Sequence, residues 1–278
     1  MLKYTFCHVP GIGPKTERHL WRSGFHSWHA VTGDDPLPLS PNKVELLRRH
    51  IPESVTHFED GVSGYFYDRL SSDQHWRMFP DFRESVAYLD IETTGLGGSS
   101  DYITTIGVYD GQSITHYVYG DNLFDFRDKI EKYRLLVTYN GKTFDVPFIR
   151  NYLGIPIGQA HIDLRYVLAS LGYRGGLKGC ERQLGIDREE LEDVDGYFAV
   201  LLWQDFQKNG NRRALETLLA YNTLDVVDLE ILMVLAYNLK LKDTPFAERL
   251  RLPKPRSPEN PFKADMETIR RLKHRHFR

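Results

Sequence analysis

The stretch YLDIETTGL, Tyr88–Leu96, carries two carboxylates two residues apart within an apolar strand pattern. Side chains alternate along a strand, so Asp90 and Glu92 face one side together with Tyr88. Two negative charges at this spacing repel each other. Either water screens these charges or a cation lies between them.

The sequence around this stretch predicts a sheet combined with helices. Three β-rich apolar runs predict strands, and the second is a hairpin that turns at Asp110-Gly111: 85–93, 102–120 and 134–140. Apolar spacing or a preceding Gly turn predicts three helices: 146–154, 175–186 and 212–241. Strands mixed with helices in this order indicate an α/β (α+β) fold with a mixed sheet.

Changes in composition divide the chain into three parts. Residues 1–80 predict a small helical region, residues 81–242 the α/β domain, and residues 243–278 a basic, proline-containing tail. Between Pro245 and Arg278 there are ten Lys and Arg against four Asp and Glu, a net charge of +6. We expect this tail to be only loosely packed.

The whole chain has no basic excess that would signal nucleic-acid binding, because 36 Lys and Arg face 38 Asp and Glu. The two cysteines, Cys7 and Cys180, cannot build a disulfide framework and lack a zinc-binding spacing. The start, MLKYTFCHVP, has no apolar leader core, and no run approaches the roughly 18 apolar residues of a membrane span. These features predict a cytoplasmic protein with no membrane partner.

Two further carboxylates stand at positions where ligands bind. Asp145 comes just before a predicted helix, where it is either a helix N-cap or a group held near the end of the sheet. Asp225 lies one turn after Tyr221 in an apolar helix. A buried carboxylate needs a partner, so Asp225 is explained by a salt bridge, a wet groove or a metal.

Together the four carboxylates suggest a binding site for hard cations. Asp90, Glu92, Asp145 and Asp225 offer the oxygen ligands that Mg²⁺ or Mn²⁺ prefers. Four carboxylates also suit a pair of ions that clamps an in-line displacement at phosphorus. We therefore predict two divalent cations as cofactors.

Three motifs, DIETTGL, YNGKTFD and YNTLD, occur in chain order between about Trp76 and Leu241. They resemble the exonuclease motifs of the ribonuclease-H-like DEDD superfamily, in its tyrosine branch and in its YprB-type members. This resemblance implies 3′–5′ hydrolysis of DNA or RNA that has a free 3′ end, with release of nucleoside 5′-monophosphates. It leaves open whether the substrate is DNA or RNA.

The resemblance also implies a role for each motif residue. Asp90 corresponds to the carboxylate that bridges both metals, and Glu92 and Asp225 to ligands of the ion on the nucleophile side. Asp145 corresponds to a ligand of the second ion. Tyr221 corresponds to the residue that orients the attacking water.

The segment His8–Trp28 resembles a helix-hairpin-helix element. Gly11 and Gly13 would present backbone amides to a phosphate, assisted by Lys15. The alternatives are a plain Gly-Pro turn and a protein-docking surface. Lys178, after a Gly turn, is a second candidate for phosphate contact, although a surface lysine explains it equally well.

The sequence thus predicts a metal-dependent 3′–5′ exonuclease with an N-terminal helical nucleic-acid-binding element. Two alternatives remain at this stage. One is a non-catalytic nucleic-acid-binding or scaffold protein that retains the fold, and the other is a structure-selective endonuclease.

Overall fold

The structure of the protein is a computed structural model that describes residues 1–33, 35–188, 191–192 and 194–276. Within these residues the sheet has five strands: β1 (Val86–Thr93), β2 (Ile103–Tyr109), β3 (Ile114–Val118), β4 (Leu135–Thr138) and β5 (Ala160–Asp163). The strand order is β3-β2-β1-β4-β5. β1 pairs antiparallel with β2 and parallel with β4, so the predicted mixed sheet is confirmed.

Helices precede, cover and follow this sheet. In chain order they are α1 (Pro14–Arg22), α2 (Trp28–Val31), α3 (Pro41–Glu59), α4 (Ser63–Arg69), α5 (Phe79–Phe82), α6 (Phe126–Lys129), α7 (Asp145–Leu153), α8 (Leu164–Ser170), α9 (Gly176–Leu184), α10 (Gly196–Asn209), α11 (Arg212–Leu241) and α12 (Met266–His276). No helix in the described part of the chain is both long and apolar enough to cross a membrane.

The alternation of β1 decides what covers each face of the sheet. Val86 and Tyr88 belong to a core that includes α11, whereas Ala87 and Leu89 belong to a second core that includes α7. Both faces are covered, which explains why β1 is apolar on both sides. Asp90 follows Tyr88 on the α11 side, at the end of the strand where the register reaches Gly107 of β2.

The hairpin between β2 and β3 turns where the sequence predicts. Asp110 Oδ1 accepts hydrogen bonds from the amides of Gln112 and Ser113 at 3.1 and 2.8 Å. Gly111 has a φ of +87°, a conformation that glycine adopts without a steric penalty. This short turn fixes the antiparallel register of the two strands.

The first 80 residues are helical and pack into the core that contains α11. Trp76 lies against Tyr237 of α11, with ring centroids 5.7 Å apart. The turn around Gly11 follows a single 3₁₀ turn, Leu2–Tyr4, and leads into α1. Helical turns continue to Ser85, just before β1, and the hydrophobic core extends across this boundary, so the division at residue 80 stays a prediction.

The last part of the chain is more ordered than the sequence suggests. Asn238 of α11 binds both backbone polar groups of Leu252, at 3.0 and 2.8 Å. α12 buries Ile269 and Leu272 against α10 and the start of α11. The expectation of a loosely packed tail was wrong for α12, whose buried Ile269 and Leu272 belong to the core, while residues 251–265 form no helix or strand. Phe277 and Arg278 lie outside the described residues.

Candidate metal centre

Three carboxylates that are distant in sequence meet above the sheet. One oxygen each of Asp90, Glu92 and Asp225 lies within 4.8 Å of the other two. Asp90 and Glu92 come from the end of β1, where alternation turns both toward α11. Asp225 comes from the middle of α11, which crosses this face of the sheet. The structure thus places these three predicted residues in one cluster.

Asp90 is positioned by an asparagine and a glycine. Asn222 Nδ2 donates to Asp90 Oδ2 at 2.8 Å. Gly107, the β2 partner of Asp90, leaves room for this contact, because a Cβ there would lie 2.3 Å from Asn222 Oδ1. Gly107 is therefore required for the close approach of α11 to the sheet.

Asp145 lies outside this three-carboxylate group but lines the same cleft. It is the first residue of α7, whose N-cap is Phe144, and its Oδ1 accepts from the amide of Ile91 at 3.2 Å. The N-cap interpretation of Asp145 was therefore wrong, since the carboxylate ties α7 to β1. Burial raises the pKa of Asp145 to about 7.

The loop before α7 is held by a second aspartate. Asn140 adopts a φ of +67° and donates its amide to Asp163 Oδ1 at 2.8 Å. Asp163 also accepts from the amide of Lys142 at 3.0 Å and caps α8. These contacts position the YNGKTFD loop, and with it Asp145, at the end of the sheet.

Tyr221 lies one turn before Asp225 and lines the cleft with only 6% of its surface exposed. Burial raises the pKa of its hydroxyl well above 10, and the charges of Asp225 and Glu92 raise it further. The phenol therefore stays protonated at neutral pH. It can donate one hydrogen bond and accept another in a site rich in negative charge.

The electrostatics of the cluster favour a cation. Burial raises the pKa of Asp90 and of Glu92 well above their usual values, and the neighbouring carboxylates Asp225 and Asp145 add to the shift. Keeping these groups ionised in the buried cluster costs free energy unless a cation binds there. Oxygen-only donors of this kind suit Mg²⁺ or Mn²⁺, so the residues present fit a divalent cation.

A cleft of about 1310 Å³ opens onto the carboxylates. Tyr166 and Tyr197 on its walls are 45% and 58% exposed, and Leu96 at its rim is 94% exposed. Arg165 and Arg174 also line it. The cleft thus combines an acidic floor with aromatic and basic walls.

A model of the RNase H superfamily matches residues 87–237, which is more than half of the chain. The chain belongs to the RNase H superfamily. It is 30% identical over 206 residues to the uncharacterized protein YprB of Bacillus subtilis. The match covers 66% of this chain and 49% of that protein. The chain thus spans about half the length of this curated relative.

The family B DNA polymerase of the archaeon Pyrobaculum calidifontis shares 18% identity with this RNase H superfamily chain, with a TM-score of 0.38. The match covers 56% of this chain and 29% of the polymerase.

Of the other predicted binding residues, Gly11, Gly13 and Lys15 lie outside the acidic cluster, whereas the ammonium of Lys178 lies 5.8 Å from the ring centre of Tyr221. Lys178 donates its ammonium group to the backbone carbonyls of Glu192, at 2.6 Å, and Val194, so its charge is engaged within the protein. Gly11, Gly13 and Lys15 are exposed on the N-terminal region. Phosphate contact by these four residues stays a prediction.

Sequence reasoning missed two residues of this RNase H superfamily site. Asn222 stands inside the YNTLD motif, and its position beside Tyr221 was the available signal. Arg188, by contrast, lies in a loop without a motif. Its guanidinium nitrogen Nη2 lies 2.5 Å from Asp225 Oδ1. The salt bridge that the sequence offered as one explanation of Asp225 is thus present within the acidic cluster.

Proposed function

We propose that this chain is a metal-dependent 3′–5′ exonuclease that hydrolyses phosphodiester bonds in DNA or RNA and releases nucleoside 5′-monophosphates. The observation that carries this proposal is the meeting of Asp90, Glu92 and Asp225 within 4.8 Å at the floor of a cleft. Membership of the RNase H superfamily supports a nuclease with a nucleic-acid substrate.

Two divalent cations, Mg²⁺ or Mn²⁺, are the proposed cofactors. Asp90, Glu92 and Asp225 would hold them, and Asp145, at the start of α7, would complete the ligand set. When bound, such ions stabilise charge on the oxygens of a phosphodiester in displacement and activate water as a nucleophile. The cluster of like charges, held in place by β1 and α11, supports this assignment.

Tyr221 is proposed to orient the attacking water. Its hydroxyl stays protonated at neutral pH because burial and the charges of Asp225 and Glu92 hold its pKa well above 10. A neutral phenol beside the carboxylates can hold a water molecule by hydrogen bonding without adding charge.

The walls of the cleft suit the end of a nucleic-acid strand. The half-exposed ring of Tyr166 lines the cleft and can stack on a base, an interaction that is tolerant of sequence. Arg165 and Arg174 are available for phosphate groups. These residues position a strand above the carboxylates without reading its sequence.

The test uses DNA and RNA oligonucleotides labelled at the 5′ end, incubated with Mn²⁺ or with EDTA. We expect stepwise shortening from the 3′ end in Mn²⁺ and no cleavage in EDTA. Asp90→Asn should abolish cleavage and leave the metal-free melting temperature unchanged or raised, because it removes one charge from a repulsive cluster. The matched control is Asp128→Asn, which changes an exposed carboxylate on α6 and should cleave normally.

A second substrate with a blocked 3′ end separates the alternatives. An exonuclease leaves it intact, whereas a structure-selective endonuclease still cuts it. Turnover that survives EDTA would contradict the metal-dependent mechanism. Binding without cleavage under all metal conditions would favour a non-catalytic protein.

A further inference from the structure

Arg188 is a buried cation behind the acidic cluster. Its side chain is 1% exposed, and it does not line the cleft. It therefore cannot meet a substrate in the cleft directly. Its position on the far side of Asp225 suggests that it acts on the site through that carboxylate.

The guanidinium joins two helices through their carboxylates. Nε and Nη2 of Arg188 each donate to one oxygen of Glu181 on α9, both at 2.6 Å. Nη2 also lies 2.5 Å from Asp225 Oδ1 on α11. Arg188 thus holds one oxygen of Asp225 and connects it to α9.

The contact has geometric requirements that only arginine meets. A guanidinium is planar, permanently charged and able to bind a carboxylate through two parallel hydrogen bonds. Glu181 uses that two-point geometry to fix the plane of Arg188. Nη2, which lies in that plane, forms the ion pair with Asp225 Oδ1 at 2.5 Å. A lysine would keep the charge but could not reproduce both contacts.

We infer that Arg188 is a positioning residue that fixes the orientation of Asp225 through the Glu181–Arg188–Asp225 bridge, and so prepares this carboxylate to hold a divalent cation. The inference rests on the proposed function, because it gives Asp225 the role of a metal ligand. One oxygen of Asp225 is engaged by Arg188, which leaves the other for the ion. Groups that orient metal ligands typically affect metal affinity or activity by about 10- to 100-fold.

The experiment measures Mn²⁺ binding to the full chain by calorimetry, with no nucleic acid present. Arg188→Lys keeps the charge and removes the two-point geometry, so Mn²⁺ affinity should fall about 10-fold or more. Glu181→Gln keeps Arg188 beside Asp225 but weakens the two-point contact that orients the guanidinium. It should also lower Mn²⁺ affinity, by a smaller factor. Arg182→Gln is the matched control on the same helix, since Arg182 is 68% exposed and faces Glu192 at 3.5 Å.

Kinetics provide a second measurement. In subsaturating Mn²⁺ the kcat of Arg188→Lys should fall while the KM for nucleic acid stays unchanged, because Arg188 does not line the cleft. Raising the Mn²⁺ concentration should restore kcat toward the wild-type value. A residue with a purely structural role would lower the melting temperature without rescue by Mn²⁺.

The outcomes separate this inference from the proposed function. A wild-type chain that binds no Mn²⁺ would contradict the proposed function and the bridge with it. Wild-type binding together with unchanged affinity in folded Arg188→Lys and Glu181→Gln proteins would overturn the positioning role alone. Loss of fold in both variants would assign the bridge to stability and would also overturn the inference.

Discussion

The contact between Asn222 and Asp90 depends on the absence of a side chain at residue 107. Gly107→Ala would place a Cβ 2.3 Å from Asn222 Oδ1 and 3.1 Å from Val226 Cγ1, so α11 must move away from the sheet. We expect a loss of about 1–3 kcal/mol in the free energy of unfolding, the usual cost of overpacking a core. Urea denaturation measures this loss.

Gly64→Ala is the matched control for this change. Gly64 lies near the start of α4, and a Cβ there meets no atom within 4 Å. Its stability should stay equal or rise slightly, because alanine favours a helix over glycine. A Gly107→Ala protein as stable as Gly64→Ala would contradict the close approach of α11 to β2.

Tyr221 and Asp225 lie one turn apart, yet their substitutions should fail differently. Asp225→Ala removes a proposed metal ligand and should lose Mn²⁺ affinity and nearly all turnover. Tyr221→Phe keeps the ring and removes one hydroxyl, so the rate should fall by at most about 10²–10³, as for loss of one preorganised donor. Calorimetric titration of Mn²⁺ and single-turnover rates distinguish the two. Equal loss of metal in both variants would contradict the assigned roles.

His8 should make the protein less stable in mild acid. It is buried, its Nε2 lies 2.9 Å from Ser54 Oγ, and burial, with a smaller contribution from Arg69, lowers its pKa to about 3. An unfolded histidine has a pKa of about 6.5, so below that pH the unfolded chain binds a proton that the folded chain does not. Stability is therefore lost as pH falls from about 6.5 toward 3.

His8→Gln removes this proton linkage. Between pH 7.5 and 5 the wild type should lose about 2 kcal/mol more unfolding free energy than the variant. Urea denaturation at the two pH values gives the difference, and His29→Gln, at an exposed position, is the control. A wild type and a His8→Gln protein with the same pH dependence would mean that the pKa of His8 is the same in the folded and the unfolded chain.

At the scale of elements, α12 shows how a basic sequence can still be packed. Ile269 is 1% exposed and lies in the core shared with α10 and α11. Ile269→Ala should cost about 2–5 kcal/mol, as for large-to-small changes in cores. The exposed neighbour Arg270→Ala should leave stability within about 0.5 kcal/mol. Chemical denaturation compares the two, and equal values would show that α12 is detached in solution.

The sequence predicted the elements that have a strong period. β1, the β2–β3 hairpin, β4, α7, α9 and α11 all form where alternation or helical spacing indicates them. β5 was missed because its four residues, AHID, are too few for their alternation to stand out from the surrounding sequence. α12 was missed because its apolar positions are few and lie between basic residues, so only tertiary packing reveals them.

Some residues of the site could also be predicted from the sequence, and others could not. Asp90, Glu92 and Asp225 were predictable because each stands in a motif on an element of clear period. Arg188 was not, since its partner Asp225 lies 37 residues further along the chain and no local pattern connects them. Contacts between distant loops and helices depend on the whole fold, which a single sequence does not display.

At the scale of the whole molecule, the N-terminal turn is a proposed second contact with nucleic acid. Lys15→Ala should weaken binding equally on all sequences and reduce the dependence of affinity on salt, because it removes one phosphate contact. Binding is measured with a catalytically inactive Asp90→Asn protein at several salt concentrations. Mn²⁺ affinity, measured in chains that keep Asp90, should not differ with and without the Lys15→Ala change, since Lys15 lies outside the acidic cluster.

Gly13 offers a second probe of the same turn. Its backbone is extended, and a Cβ there meets no atom within 4 Å, so Gly13→Ala should fold normally. Gly11 is unsuitable, because its φ of +78° would strain any other residue. If neither Gly13→Ala nor Lys15→Ala changes affinity or its salt dependence, the turn is a structural or protein-docking element.

The length of α11 has a consequence for how the protein is inactivated by heat. Its 30 residues extend about 45 Å. Hydrogen bonds hold the helix near both ends. Thr217 Oγ1 accepts from the amide of Asp265, and Asn238 Oδ1 accepts from the amide of Leu252. Tyr221 and Asp225 lie between these two hydrogen bonds, so their amide hydrogens should exchange with solvent only when the whole chain unfolds. Heat should then inactivate the protein at the temperature at which it melts, with no earlier stage in which a folded chain has lost its site.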